Sequence, residues 1–161
     1  MKIENNHPKK ITPFLWFDDQ AEEAVNFYVS VFKNSSVGTV NHWGEGGLGK
    51  PGSVLTVSFT LEDQEFVALN GGPQFKFTEA VSFVINCDSQ DEIDYYWNKL
   101  TANGGEESRC GWLKDKYGLS WQVVPTILPQ LLHSIDPAKS QKAIQAMLQM
   151  RKLDIAKLQE A

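Results

Sequence analysis

A chain of 161 residues, 42% hydrophobic and 22% charged, has the composition of one globular domain or two small fused halves, with enough chain for a core. Its formal net charge of -5 argues against a nucleic-acid or anionic-membrane partner, since either would want a basic patch. No apolar run is long enough to span a bilayer, and Met1 to Lys10 lack the apolar stretch of a secretory signal, so a cytoplasmic location is expected.

Ile11 to Phe17 is apolar and aromatic, the pattern of a strand. Asp18 and Asp19 end it and offer a helix N-cap. Ala21, Ala24, Val25, Tyr28, Val29 and Phe32 then recur at helical spacing. Val37 to Trp43 reads as a short strand, and Gly44 to Gly52 as a glycine-rich loop. In 53–61, Leu55, Val57, Phe59 and Leu61 share one strand face, and Val54, Thr56, Ser58 and Thr60 the other. A turn at Glu62-Asp63-Gln64 leads into a strand to Asn70, and Gly71-Gly72-Pro73 follows. The order then returns: strand 81–87, helix 90–102, short strands near 106–110 and 112–115, a turn at Tyr117-Gly118 and a strand over 119–125. Two helical segments close the chain, one near 127–133 and one opened by Asp136-Pro137, with a break expected near Leu153 and a second cap at Asp154.

The return is a repeat. Phe14 falls on Phe83, Asp19 on Asp88, Glu23 on Glu92, Phe27 on Tyr96 and Tyr28 on Trp97. A unit of this kind cannot bury its own apolar face, so two copies are expected to share one core. The expected class is α+β: two βαβββ modules (11–73 and 80–125) forming a curved mixed sheet, plus a C-terminal helical tail (126–161). Helices cover one side of each sheet, and the open strand faces make a trough suited to a small molecule.

Little in the chain signals catalysis. Gly44 to Gly49 satisfies G-x-G-x-x-G, but Pro51-Gly52 and a strand pattern follow, where a phosphate loop would feed a helix. His7, His42 and His133 form no metal-ligand pair; His42 alone leads toward the glycine loop. The carboxylates cluster at helix starts and hairpin turns, where capping and solvation account for them. Cys87 and Cys110 read as free thiols, Cys87 buried at a strand end. Most aromatics, Trp16 among them, sit at core spacing, whereas Phe17, Trp43, Phe75 and Phe77 are candidates for a pocket wall or subunit interface.

Several segments together resemble a known family: Trp16-Phe17-Asp18 with Ala21-Glu22-Glu23-Ala24 and Phe27-Tyr28; Gly49 to Val54; Leu69 to Pro73; Phe83 to Asp88; and Asp115 to Gln122. They look like the PhnB-like branch of the vicinal oxygen chelate superfamily, the group of glyoxalase I, bleomycin-resistance proteins and extradiol dioxygenases. Members of this branch carry the label 3-demethylubiquinone 3-methyltransferase. The resemblance implies that the superfamily's four metal-ligand positions fall on Pro13, Ala68, Ser82 and Gln122. Proline and alanine offer no donor and serine is a poor ligand, so neither a metal nor another cofactor is expected.

The leading expectation is therefore a PhnB-like protein that binds a small organic molecule, without nucleic-acid or membrane partners, and forms a homodimer. Its candidate ligand-binding residues are Leu15, Phe17, Asn70, Ser82, Val84, Asn86, Ser120 and Gln122, with Ser82 and Gln122 fixing a polar end. The alternatives are a metal-dependent or ligand-assisted enzyme of glyoxalase or dioxygenase type, and an interaction-only protein.

Overall fold

The computed structural model describes residues 9–161, so His7 lies outside the described residues. The chain divides into two compact units between Lys76 and Phe77. The first carries β1 (Phe14–Phe17), α1 (Ala21–Val31), β2 (Ser35–His42), β3 (Val54–Leu61) and β4 (Gln64–Asn70). The second carries β5 (Ser82–Cys87), α2 (Gln90–Thr101), β6 (Glu106–Glu107), β7 (Trp112–Lys114) and β8 (Ser120–Pro125), then α3 (Leu128–Leu132), α4 (Pro137–Leu148) and α5 (Ile155–Glu160). Each unit holds a four-stranded mixed sheet, with orders β1-β4-β3-β2 and β5-β8-β7-β6. In both, the first strand pairs parallel to the last and the other pairings are antiparallel. The α+β class and the doubled strand order are those expected. Among the described residues no helix is long and apolar enough to cross a membrane.

In the first module α1 buries Ala21, Ala24, Val25, Tyr28 and Val31. The Tyr28 ring stacks on Phe59 of β3, and Phe59 on Phe66 of β4. Val57 shares the Phe59 face by alternation, and the ladder places Ala68 opposite Val57 and Leu15 opposite Ala68. Leu15 and Phe17 are 6% and 3% exposed, so they belong to the core beneath α1.

This corrects the expectation that Leu15 and Phe17 face the open side. The reason is one residue in the connection. Three residues (Asp18, Asp19, Gln20) separate β1 from α1, and only two (Asp88, Ser89) separate β5 from α2. The helices repeat at 69 residues, Ala21 to Gln90, whereas the strand ends repeat at 70, Phe17 to Cys87. A slip of one residue exchanges the two faces of a strand. Pairing Leu15 with Val84 therefore joins residues of opposite facing: Leu15 is buried, and Val84 is 49% exposed.

The second module packs Ile93, Tyr96, Trp97 and Leu100 of α2 inward. Ser89 caps this helix by accepting the Glu92 N–H, and the Glu92 carboxylate accepts the Asp88 N–H. The turn before β8 is built on Asp115, which is 2% exposed. Its carboxylate accepts from the N–H groups of Tyr117 and Leu119 and from Nε1 of Trp121, at 2.9, 3.1 and 2.9 Å.

The tail lies against its own module. The N–H groups of Cys110 and Gly111 donate to the carbonyls of Met150 and Arg151, each at 2.8 Å. Gln90 bridges the chain on both sides of Asp154, donating to the Leu153 carbonyl and accepting the Ile155 N–H. Leu153 and Leu158 are almost fully buried, and Asp154 caps α5 as expected.

Candidate functional site

The open face of the first sheet carries a cavity of about 520 Å³, lined wholly by first-module residues. Trp16, Val54 and Leu69 form its apolar wall, Trp43, Leu48 and Gly49 its loop side, and Asp18, Asp19 and Glu22 its acidic rim. Asn70, Gly71 and Gly72 complete the lining where β4 ends.

Both indoles are held by backbone with no room for a side chain. Trp16 Nε1 donates to the Gly72 carbonyl at 2.9 Å, and any side chain at Gly71 would run into the Trp16 ring. Phe75 meets Trp16 edge-on at 4.9 Å between ring centres. Trp43 pairs with Ser53 and Gly52 at the base of the glycine loop, and a β-carbon at Gly47 or Gly49 would strike its ring. The loop's glycines thus let the chain wrap around an indole. Leu48 stands fully exposed at the loop tip. Neither Lys50 nor His42 lines the cavity.

Asn70 is placed by β4 under the start of α1. Its Oδ1 accepts the Ala21 N–H at 2.8 Å, and its Nδ2 donates to the Val54 carbonyl at 3.1 Å. The helix takes no cap from the N-cap residue Gln20. The capping expected of Asp18 or Asp19 is therefore supplied from another strand. Asp18 is instead fixed through its backbone carbonyl, which accepts the Gly72 N–H.

Of the eight residues proposed from sequence, Asn70 alone lines this cavity. Leu15 and Phe17 are core, as described above. The remaining five share the open face of the second sheet: Ser82, Val84 and Asn86 on β5, with Ser120 and Gln122 on β8 opposite Ser82 and Val84. Gln122 Nε2 donates to Ser82 Oγ at 2.9 Å. Ser120 is fully buried, and its hydroxyl has no partner among the described residues. Lys114, opposite Ser120, pairs with Glu79 at 2.6 Å, which lowers the Glu79 pKa and raises that of Lys114. Sequence reasoning missed Trp16, Leu69 and the acidic rim. Trp43 was legible as an aromatic at an element end.

The two mixed sheets, each with its helix on one face, have the glyoxalase/bleomycin-resistance fold. Residues 9–124 match the family model described as 3-demethylubiquinone-9 3-methyltransferase, and the chain belongs to this PhnB-like family. The PhnB protein of Bacillus cereus, a 3-demethylubiquinone-9 3-methyltransferase by description, is 38% identical with a TM-score of 0.67; the match covers 73% of this chain and 100% of that one. A Pseudomonas aeruginosa protein shares 18% identity at a TM-score of 0.59, over 71% of this chain and 96% of that one. The fosfomycin-resistance protein FosX of Listeria monocytogenes shares 14% at 0.52, over 77% and 98%, a likeness of fold alone. No curated protein matches the chain.

The superfamily's metal does not fit the residues at the positions carried over for it. Ala68 has no donor and is fully buried on the α1 face. Its neighbour toward the open side is Val67, also without a donor. Gln122 is a single amide already bonded to Ser82. Among the described residues no group of three His, Cys, Asp or Glu could hold a metal ion.

Proposed function

We propose that this protein binds a small organic molecule in the first-module cavity and does so without a resident divalent metal. The observation that carries the reading is the cavity itself: about 520 Å³, walled by two indoles, Val54 and Leu69, with polar groups at one rim. Volume and lining of this kind suit a drug-sized ligand. Both Trp16 and Trp43 are braced by glycine backbone, so the apolar wall exists before any ligand arrives. On the open face Val67 offers no donor and Gln122 is already bonded to Ser82, which favours binding over metal-dependent catalysis. The family description speaks of methyl transfer. The mixed four-stranded sheets have no parallel switch-point crevice of the kind that holds a nucleoside cofactor, so the reading follows the cavity.

Fragment screening by ligand-observed NMR tests this, with protein and a Trp43→Ala variant run side by side. Trp43 is half-buried at a loop base and outside the core beneath α1, so the variant should fold. Hits that weaken markedly in the variant support the reading. Hits of equal affinity in both place binding elsewhere.

A further inference from the structure

We infer that the first-module cavity selects organic cations with a flat apolar body. This rests on the cavity being a binding site, and it adds the ligand's class.

Among the described residues, the ionisable side chains that line the cavity are Asp18, Asp19 and Glu22, all of them acids. None of the three carboxylates has a hydrogen-bond or ion-pair partner among the described residues. The second module offers one comparison: Asp88, which the 69-residue helix repeat sets against Asp19, accepts the Thr126 hydroxyl at 3.0 Å. In the first module the cap comes from Asn70, and the connection is one residue longer. Asp18, Asp19 and Glu22 carry no such bond and stand beside two indoles.

Carboxylates and indole faces attract the same partner. A cation gains from the negative charge and from the electron-rich ring face, and a planar body gains contact with Trp16, Trp43 and Leu69. An anion would meet three like charges with no cationic lining residue to offset them.

Three probes of similar size and different charge decide the matter: N-methylquinolinium, 2-naphthol and naphthalene-2-sulfonate. Their affinities are read from the assigned indole N–H signals of Trp16 and Trp43. The cation should bind tightest and the sulfonate weakest, with about tenfold between the extremes, narrowing as salt is raised. In a triple variant (Asp18→Asn, Asp19→Asn, Glu22→Gln) the ranking should collapse while 2-naphthol keeps its affinity, which also shows that the cavity is intact. If the variant does not fold, the wild-type ranking and its salt dependence decide alone. Neutral or anionic probe binding as tight as the cation's, or a ranking unchanged in the folded variant, overturns the inference and leaves the small-molecule reading in place. Binding of none of the three at either indole overturns both.

Discussion

The side-chain carbonyl of Asn70 accepts the backbone N–H of Ala21 at 2.8 Å, so the end of β4 caps the start of α1. The same amide donates to the Val54 carbonyl and ties β3 into the joint. One side chain thus fixes the angle between helix and sheet at the cavity's edge. Asn70→Ala leaves a helix donor and a strand acceptor unmet, and should cost about 1–3 kcal/mol. Thermal unfolding checks it, with an expected fall of roughly 2–4 °C per kcal/mol for a chain of this size. An unchanged midpoint would mean that water replaces the amide.

Asp115 should be a structural residue, although it stands in one of the segments that mark the family. Its buried carboxylate accepts from three donors. Asp115→Asn turns one acceptor edge into a donor facing N–H groups, and should destabilise by about 2–4 kcal/mol. Arg109→Ala, at an exposed position of the same module, should lie within about 0.5 kcal/mol of wild type. Urea denaturation of both variants makes the comparison.

Leu153 is fully buried between the tail and its module, beneath the backbone contact of Gly111 with Arg151. Leu153→Ala should cost about 2–5 kcal/mol by leaving a cavity. Removing 150–161 should cost more, because it exposes the Cys110 and Gly111 donors as well. A truncated chain as stable as the whole one would contradict the packing described.

The two cysteines should differ in reactivity. Burial, with Glu92 and Asp88 adding to it, pushes the Cys87 thiol up to about 12, whereas Cys110 is partly exposed. A disulfide-exchange reagent at pH 8 should label one thiol per native chain, Cys110, and both after unfolding. The sign of the linkage follows. Cys87 stays protonated in the fold and ionises near 9.0 when unfolded, so its contribution to stability is whole below pH 9 and falls as pH rises toward 12.

The repeat from Phe14 to Tyr28 against Phe83 to Trp97 made the βαβββ order legible, and local signals at Asp136-Pro137 and Asp154 marked the tail helices. These features depend on neighbours in sequence. The cavity does not. It depends on one extra residue between Phe17 and Ala21, which exchanges the faces of β1 and brings Trp16 to the open side. It depends also on Asn70 reaching 49 residues back to relieve the acids of capping, and on glycines whose lack of a side chain is filled by Trp43. None of these contacts has a periodicity to read.

The most direct test is to ask which side chains a bound molecule touches. With any fragment hit in hand, a protein-observed NMR titration should shift the indole N–H signals of Trp16 and Trp43 and leave the Gln122 side-chain amide in place. Shifts confined to Gln122, with both indoles unmoved, would put the site on the second sheet and contradict the account.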